Sequence, residues 1–215
     1  MLFRLFPDNI DVLIILIPIL MFALSFHEFA HAFVAYLNGD DTAQQEGRLT
    51  LNPFAHLDIV GSLMILFVGF GWAKPVPVNP LKLKNKDTSL IKIALAGPLS
   101  NLFLALLAGL FVRYLNFFEI NVSESITMSV YFFLYINIAL AIFNLIPVSP
   151  LDGSQIFDTI LNKKNPNLAW KLRVNGPKVL LAIILFGIIS GFSIISLIIT
   201  PFIKIFMYIF AGISI

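Results

Sequence analysis

The chain is 215 residues long, 59% hydrophobic and 12% charged, with a formal net charge of +2 and a mean hydropathy of +0.93. This is far more apolar than an ordinary soluble domain and implies a lipid bilayer as the setting. The small charge, with no long Lys/Arg stripe, argues against nucleic acid as a partner. With no cysteine present, disulfides, thiolate ligands and thiol nucleophiles are excluded, so any metal must be held by His and carboxylate.

A spanning helix needs about 20 mainly apolar residues to cross about 30 Å of hydrocarbon. The first stretch that qualifies is Val12 to Leu37. It has no Ala-x-Ala-like cleavage site and carries His27, Glu28 and His31 in its second half, so it is expected to stay in the mature protein. A loop follows, with a strand-like Gly47 to Leu51. The apolar run from Ile59 to Trp72, containing Gly61, Gly69 and Gly71, is too short for a full span and reads as short or re-entrant. Ala73 to Leu83 is non-helical, with Pro75, Pro77 and Pro80; prolines at 75 and 77 remove donors from one strand edge, while the Val76 and Val78 edge keeps its own. Ser89 to Leu115, Met128 to Pro147 and Val179 to Ile199 are three further spans, and Phe202 to Ile215 is another short segment. The expected fold is an all-α polytopic membrane protein: four transmembrane helices, one or two short or re-entrant segments, and small strand-like loops. No repeat or composition break divides residues 1–215, which read as a single domain.

Basic residues cluster in two loops, at Lys74, Lys82, Lys84, Lys86 and Lys92, and at Lys163, Lys164, Lys171, Arg173 and Lys178. The positive-inside rule puts both in the cytoplasm. If Ile59 to Trp72 dips without crossing, the first helix runs inward, and His27 and His31 approach the same leaflet as Asp152. A multi-pass protein of the plasma membrane with its site toward the cytoplasm is the expected arrangement.

His27-Glu28-Phe29-Ala30-His31 reads H-E-x-x-H. On a helix, residues four apart lie on one face about 6 Å apart along the axis, so two imidazoles there can chelate one ion. Glu28 is about 100° further round, within reach of a water on that ion without being a ligand. A charged side chain at mid-membrane costs about 2.5–3.5 kcal/mol, which favours a functional site over polar residues merely satisfied by neighbours. A catalytic zinc takes three protein ligands and keeps one position open. The third could come from His56, from the eight aspartates or from the three other glutamates. Asp152 differs from most of these carboxylates in following a long apolar helix, in the phrase Asn144-Leu145-Ile146-Pro147-Val148-Ser149-Pro150-Leu151-Asp152-Gly153. The prolines end or kink that helix and Gly153 permits a tight turn. The carboxylate is then either aimed back into the bundle or caps a following segment from Gly153 to Leu161.

The chain resembles the site-2 protease family of intramembrane zinc metalloproteases, in its compact form. The resemblance rests on His27 to His31, on Gly97-Pro98-x-x-Asn101, and on the Asn144 to Gly153 phrase. Asn52-Pro53-x-x-His56-x-Asp58 and Gly71 to Pro80 resemble a subgroup of the family, and the match runs in the family's order from about Ser25 to Phe157. The resemblance implies one Zn2+ per chain with Asp152 as the third ligand, Asn144 near the scissile carbonyl, and membrane protein substrates cut in or near their transmembrane segments. Water activated by zinc, with Glu28 as general base, would hydrolyse the peptide bond. No room is left for the PDZ or CBS domain that some relatives carry.

Three weaker signals accompany these. Asn101 is polar within an apolar helix and suits an interhelical hydrogen bond. His56 suits a loop position or a place supporting the metal ligands better than a ligand of another metal. Val76 and Val78, or the Gly47 to Leu51 segment, offer an edge to which an unwound substrate could add as a strand. A metal transporter and a catalytically inactive scaffold are the rival classes; a transporter has no use for Glu28 beside a chelating His pair, and the intact ligand set argues against an inactive scaffold.

Overall fold

The computed structural model describes residues 10–68 and 71–213. Gly69 of the glycine-bearing segment and Ile215 at the end of the last expected segment lie outside them. Nine helices and their connections make up the described residues, with no strand among them.

Helix α1, Ile10–Leu37, has 28 residues and is about 42 Å long, enough to cross a bilayer. Two single-turn helices follow, α2 (Thr42–Gln45) and α3 (Pro53–His56). Next comes α4 (Ile59–Val68), whose 10 residues reach only about 15 Å, half the hydrocarbon thickness. The long helices are α5 (Lys86–Phe117), α6 (Glu124–Asn144), α8 (Pro166–Ser190) and α9 (Ile194–Ala211), with the 13-residue α7 (Asp152–Lys164) between α6 and α8. Five helices, α1, α5, α6, α8 and α9, are long and apolar enough to span a membrane.

The last two spans differ from the sequence-based boundaries. Val179 to Ile199 is not one helix: Gly191 adopts a left-handed φ of 73°, which ends α8, and Ser193 starts α9 by accepting the Ser196 N–H. Glycine takes that conformation without the Cβ clash other residues suffer. The expected short segment from Phe202 is the second half of α9. Gly47 to Leu51 lies in turns and bends rather than a strand, and residues 71–79 form no regular element.

Helix α1 runs antiparallel to α5. The Ala23 carbonyl faces Asn101, His31 faces the Ile93 carbonyl, and Asn38 faces Ser89, so position falls along one helix as it rises along the other. A short connection folds α6 back against α5. Behind this pair, α9 completes the largest apolar cluster: Ala105 and Ala108 of α5, Leu134 and Ile138 of α6, and Ile203 and Met207 of α9. Small side chains on α5 let the backbones approach, which is what drives helix association where lipid tails are as apolar as leucine. A Cβ on Gly109 would stand 2.6 Å from Phe210 Cβ. At that end Arg113 donates to the Tyr208, Ile209 and Phe210 carbonyls in the last turn of α9, where carbonyls run short of helical partners; the Tyr208 carbonyl also takes the Gly212 N–H. At the opposite end, Lys163 of α7 pairs with Asp87 in the first turn of α5 at 2.8 Å, which puts the two basic clusters side by side.

Candidate metal centre

Three polar side chains meet in the bundle where its packing would otherwise be apolar. His27 and His31 come from one face of α1, and Asp152 opens α7 after the Pro147–Pro150 connection has ended α6. The N-cap of α7 is Leu151, and Asp152 is not used as a cap; its carboxylate points back at the imidazoles. Gly153 is helical, and its missing side chain admits the Leu145 and Ile146 carbonyls rather than serving a tight turn.

One ligand atom from each of the three residues lies within 4.8 Å of the others, and all three residues are buried. His27 Nε2 is 3.0 Å from His31 Nε2, and Asp152 Oδ2 is 3.1 Å from the first and 3.3 Å from the second. The opposite ring nitrogens fix the tautomers. His31 Nδ1 lies 2.6 Å from the Ile93 carbonyl, which can only accept. His27 Nδ1 lies 2.6 Å from Asn101 Oδ1, and Asn101 Nδ2 donates to the Ala23 carbonyl and to Asn137 Oδ1. Both Nδ1 atoms therefore donate, and both Nε2 atoms of the neutral rings present lone pairs toward a carboxylate oxygen. Three converging acceptors repel one another unless a cation lies among them. Nitrogen, nitrogen and oxygen donors with partners fixing the far side of each ring suit a tetrahedral zinc with one open position.

Gly97 on α5 leaves the space for this group. A Cβ there would overlap both Nε2 atoms, so only glycine lets α5 pass so close. Glu28, half-buried on α1, is not a member of the trio; its Oε2 accepts the Val76 N–H at 3.2 Å. One of the two edge donors at Val76 and Val78 is thus already engaged.

The remaining sequence-derived residues sit as follows. Asn101 is fully buried and acts through His27. Asn144, at the end of α6, donates from Nδ2 to the Leu140 carbonyl, away from the trio. His56, 1% exposed, joins its Nε2 to the Thr50 carbonyl at 2.8 Å and has no contact with the metal trio. Asn137 and Arg48 are not among the sequence-derived site residues, and Gly97 enters there only through the Gly97-Pro98-x-x-Asn101 resemblance, with no role of its own. Asn137 had a visible signal, as a lone amide in the middle of an apolar helix.

Fold and site together define a polytopic membrane metalloprotein with a His, His, carboxylate centre. The family description "Peptidase family M50" matches residues 117–186. The Bacillus subtilis protein named "Putative zinc metalloprotease YwhC" is 41% identical over 150 residues, 68% of each chain. The Mycolicibacterium smegmatis protein "Putative zinc metalloprotease Rip2" is 31% identical over 163 residues, 71% of this chain and 60% of that one. No solved structure matches. The chain belongs to peptidase family M50, the site-2 protease family, and is a membrane zinc metalloprotease.

Proposed function

We propose that the chain is a single-domain intramembrane protease that hydrolyses peptide bonds in or near the transmembrane segments of other membrane proteins. The observation that carries this reading is the convergence of His27 Nε2, His31 Nε2 and Asp152 Oδ2 beside Glu28, at a level where lipid and helices would otherwise exclude polar groups. His27, His31 and Asp152 hold the zinc. When bound, zinc acidifies water and polarises a carbonyl as a Lewis acid.

Glu28 takes the proton of the attacking water and passes it to the leaving amine. Asn101 and the Ile93 carbonyl keep both imidazoles in the ligating tautomer. Asn144 supplies a donor to the oxyanion of the tetrahedral intermediate, for which its amide has to leave the Leu140 carbonyl. A substrate helix must unwind first, because its peptide groups are bonded internally; the unwound stretch is held as an added strand along Val76 and Val78. The two basic clusters share one end of the bundle, and the positive-inside rule assigns that end, with the site, to the cytoplasmic face of the plasma membrane.

Purified protein in detergent, assayed on a transmembrane substrate, tests this. Glu28→Gln is expected to retain zinc while losing at least about a hundredfold in kcat, the scale for a lost general base. A chelator should abolish cleavage by the native protein. Metal flux through reconstituted vesicles, with no peptidase activity in the native protein, would point to a transporter instead.

A further inference from the structure

Residues 74–79, Lys-Pro-Val-Pro-Val-Asn, run past Glu28 without a sheet to hold them. Two of the six lack an N–H. The Lys74 N–H donates to the His56 carbonyl at 2.8 Å, that of Val76 to Glu28 at 3.2 Å, and that of Asn79 to Asp40 Oδ2 at 2.6 Å. Among the described residues the Val78 N–H alone of these donors has no partner. At the far end Asp40 is fully buried, and its other oxygen accepts from the Thr42 N–H and hydroxyl.

The near end is held by Arg48. Its Nη2 donates to the Lys74 carbonyl at 2.6 Å and stands 3.4 Å from His56 Nδ1. Since the Thr50 carbonyl takes the proton on His56 Nε2, Nδ1 turns a lone pair toward the guanidinium. Arg48 is 5% exposed, pairs with no carboxylate among the described residues, and leaves its Nε buried without a partner. A guanidinium buried without a counterion costs stability. What it obtains here is one charge-assisted bond to a backbone carbonyl two residues before the Val76 N–H.

We propose that Arg48 is a positioning residue for proteolysis: by gripping the Lys74 carbonyl, braced by His56, it fixes the register of residues 74–79 over Glu28. It thereby selects which substrate bond reaches the metal centre. This rests on the strand-pairing reading given above. A peptide paired with a strand moves about 3.3 Å for each residue of slip, so a loosened segment presents neighbouring bonds in turn. Arg48 touches neither substrate nor metal, and its effect is therefore on kcat and on the position of the cut rather than on zinc content.

The test uses the zinc-loaded full chain on a transmembrane substrate, with products mapped by mass spectrometry. Arg48→Met is expected to keep zinc and KM near native values, to lower kcat about tenfold, and to spread the cut over adjacent bonds. Arg48→Lys keeps the charge but not the planar fork, and should give an intermediate result: kcat down roughly threefold, the original bond still the main cut. Native kcat with a single unaltered cut in Arg48→Met overturns the proposal. Should Arg48→Met not fold, the same outcome in Arg48→Lys overturns it. Val78→Pro separates the two levels of the reading. If it slows cleavage while the Arg48 variants do not, the Arg48 assignment alone fails. If it changes nothing, strand pairing fails and the assignment fails with it.

Discussion

Asn101 has all of its amide groups engaged inside the bundle: two donations, to Ala23 and Asn137, and one acceptance, from His27. Without it, His27 Nδ1 loses the partner that keeps Nε2 free for metal. Asn101→Ala should weaken zinc binding about 10–100-fold, the usual effect of losing such a supporting bond, read by competition with a chromogenic chelator. Asn101→Asp, which keeps an acceptor, should lose less. Gly97→Ala is expected to be at least as damaging, because its methyl would occupy space held by both Nε2 atoms; zinc content by elemental analysis should fall while helix content by circular dichroism is kept. The His pair was legible in sequence because an i, i+4 spacing settles its geometry within one helix. Asn101 was legible only as a polar residue in an apolar helix, since nothing local says that it faces His27, 74 residues away.

At the scale of elements, α5 is the common neighbour, packing on α1 through the partners of His27 and His31 and on α9 through Gly109. Gly109→Val would force α9 outward by a contact that α5 now makes backbone to backbone. Overpacking of this kind costs about 1–3 kcal/mol and should lower the midpoint of thermal unfolding in detergent without changing zinc stoichiometry. The spans of α1, α5 and α6 could be read within a few residues, because hydropathy measures what the bilayer selects. The break between α8 and α9 could not be read from hydropathy: Ser190, Gly191 and Ser193 interrupt the apolar run too briefly to lower its average, and the left-handed conformation of Gly191 is a backbone property that hydropathy does not register.

For the whole molecule, the ion pair of Lys163 with Asp87 gathers both basic clusters at one end of the bundle, while Arg113 and the start of α6 lie at the other. A chain without cysteine allows this to be read directly. Lys163→Cys should react with an impermeant maleimide only after cells are permeabilised, and Glu119→Cys should react in intact cells. The reverse pattern would place the metal centre near the outer leaflet.

Composition alone determined that the chain lives in a bilayer, and one helical turn of sequence determined that two imidazoles and a carboxylate share a helix, because both properties are local. Which of the other carboxylates joins the histidines was settled by packing: Asp152 is 125 residues from His27, and the approach depends on how α5, α6 and α7 fit together. The same holds for the Val76 N–H on Glu28 and for Arg48 beneath Lys74. These contacts join loops with no periodic signal, and only the folded bundle brings them within hydrogen-bonding distance.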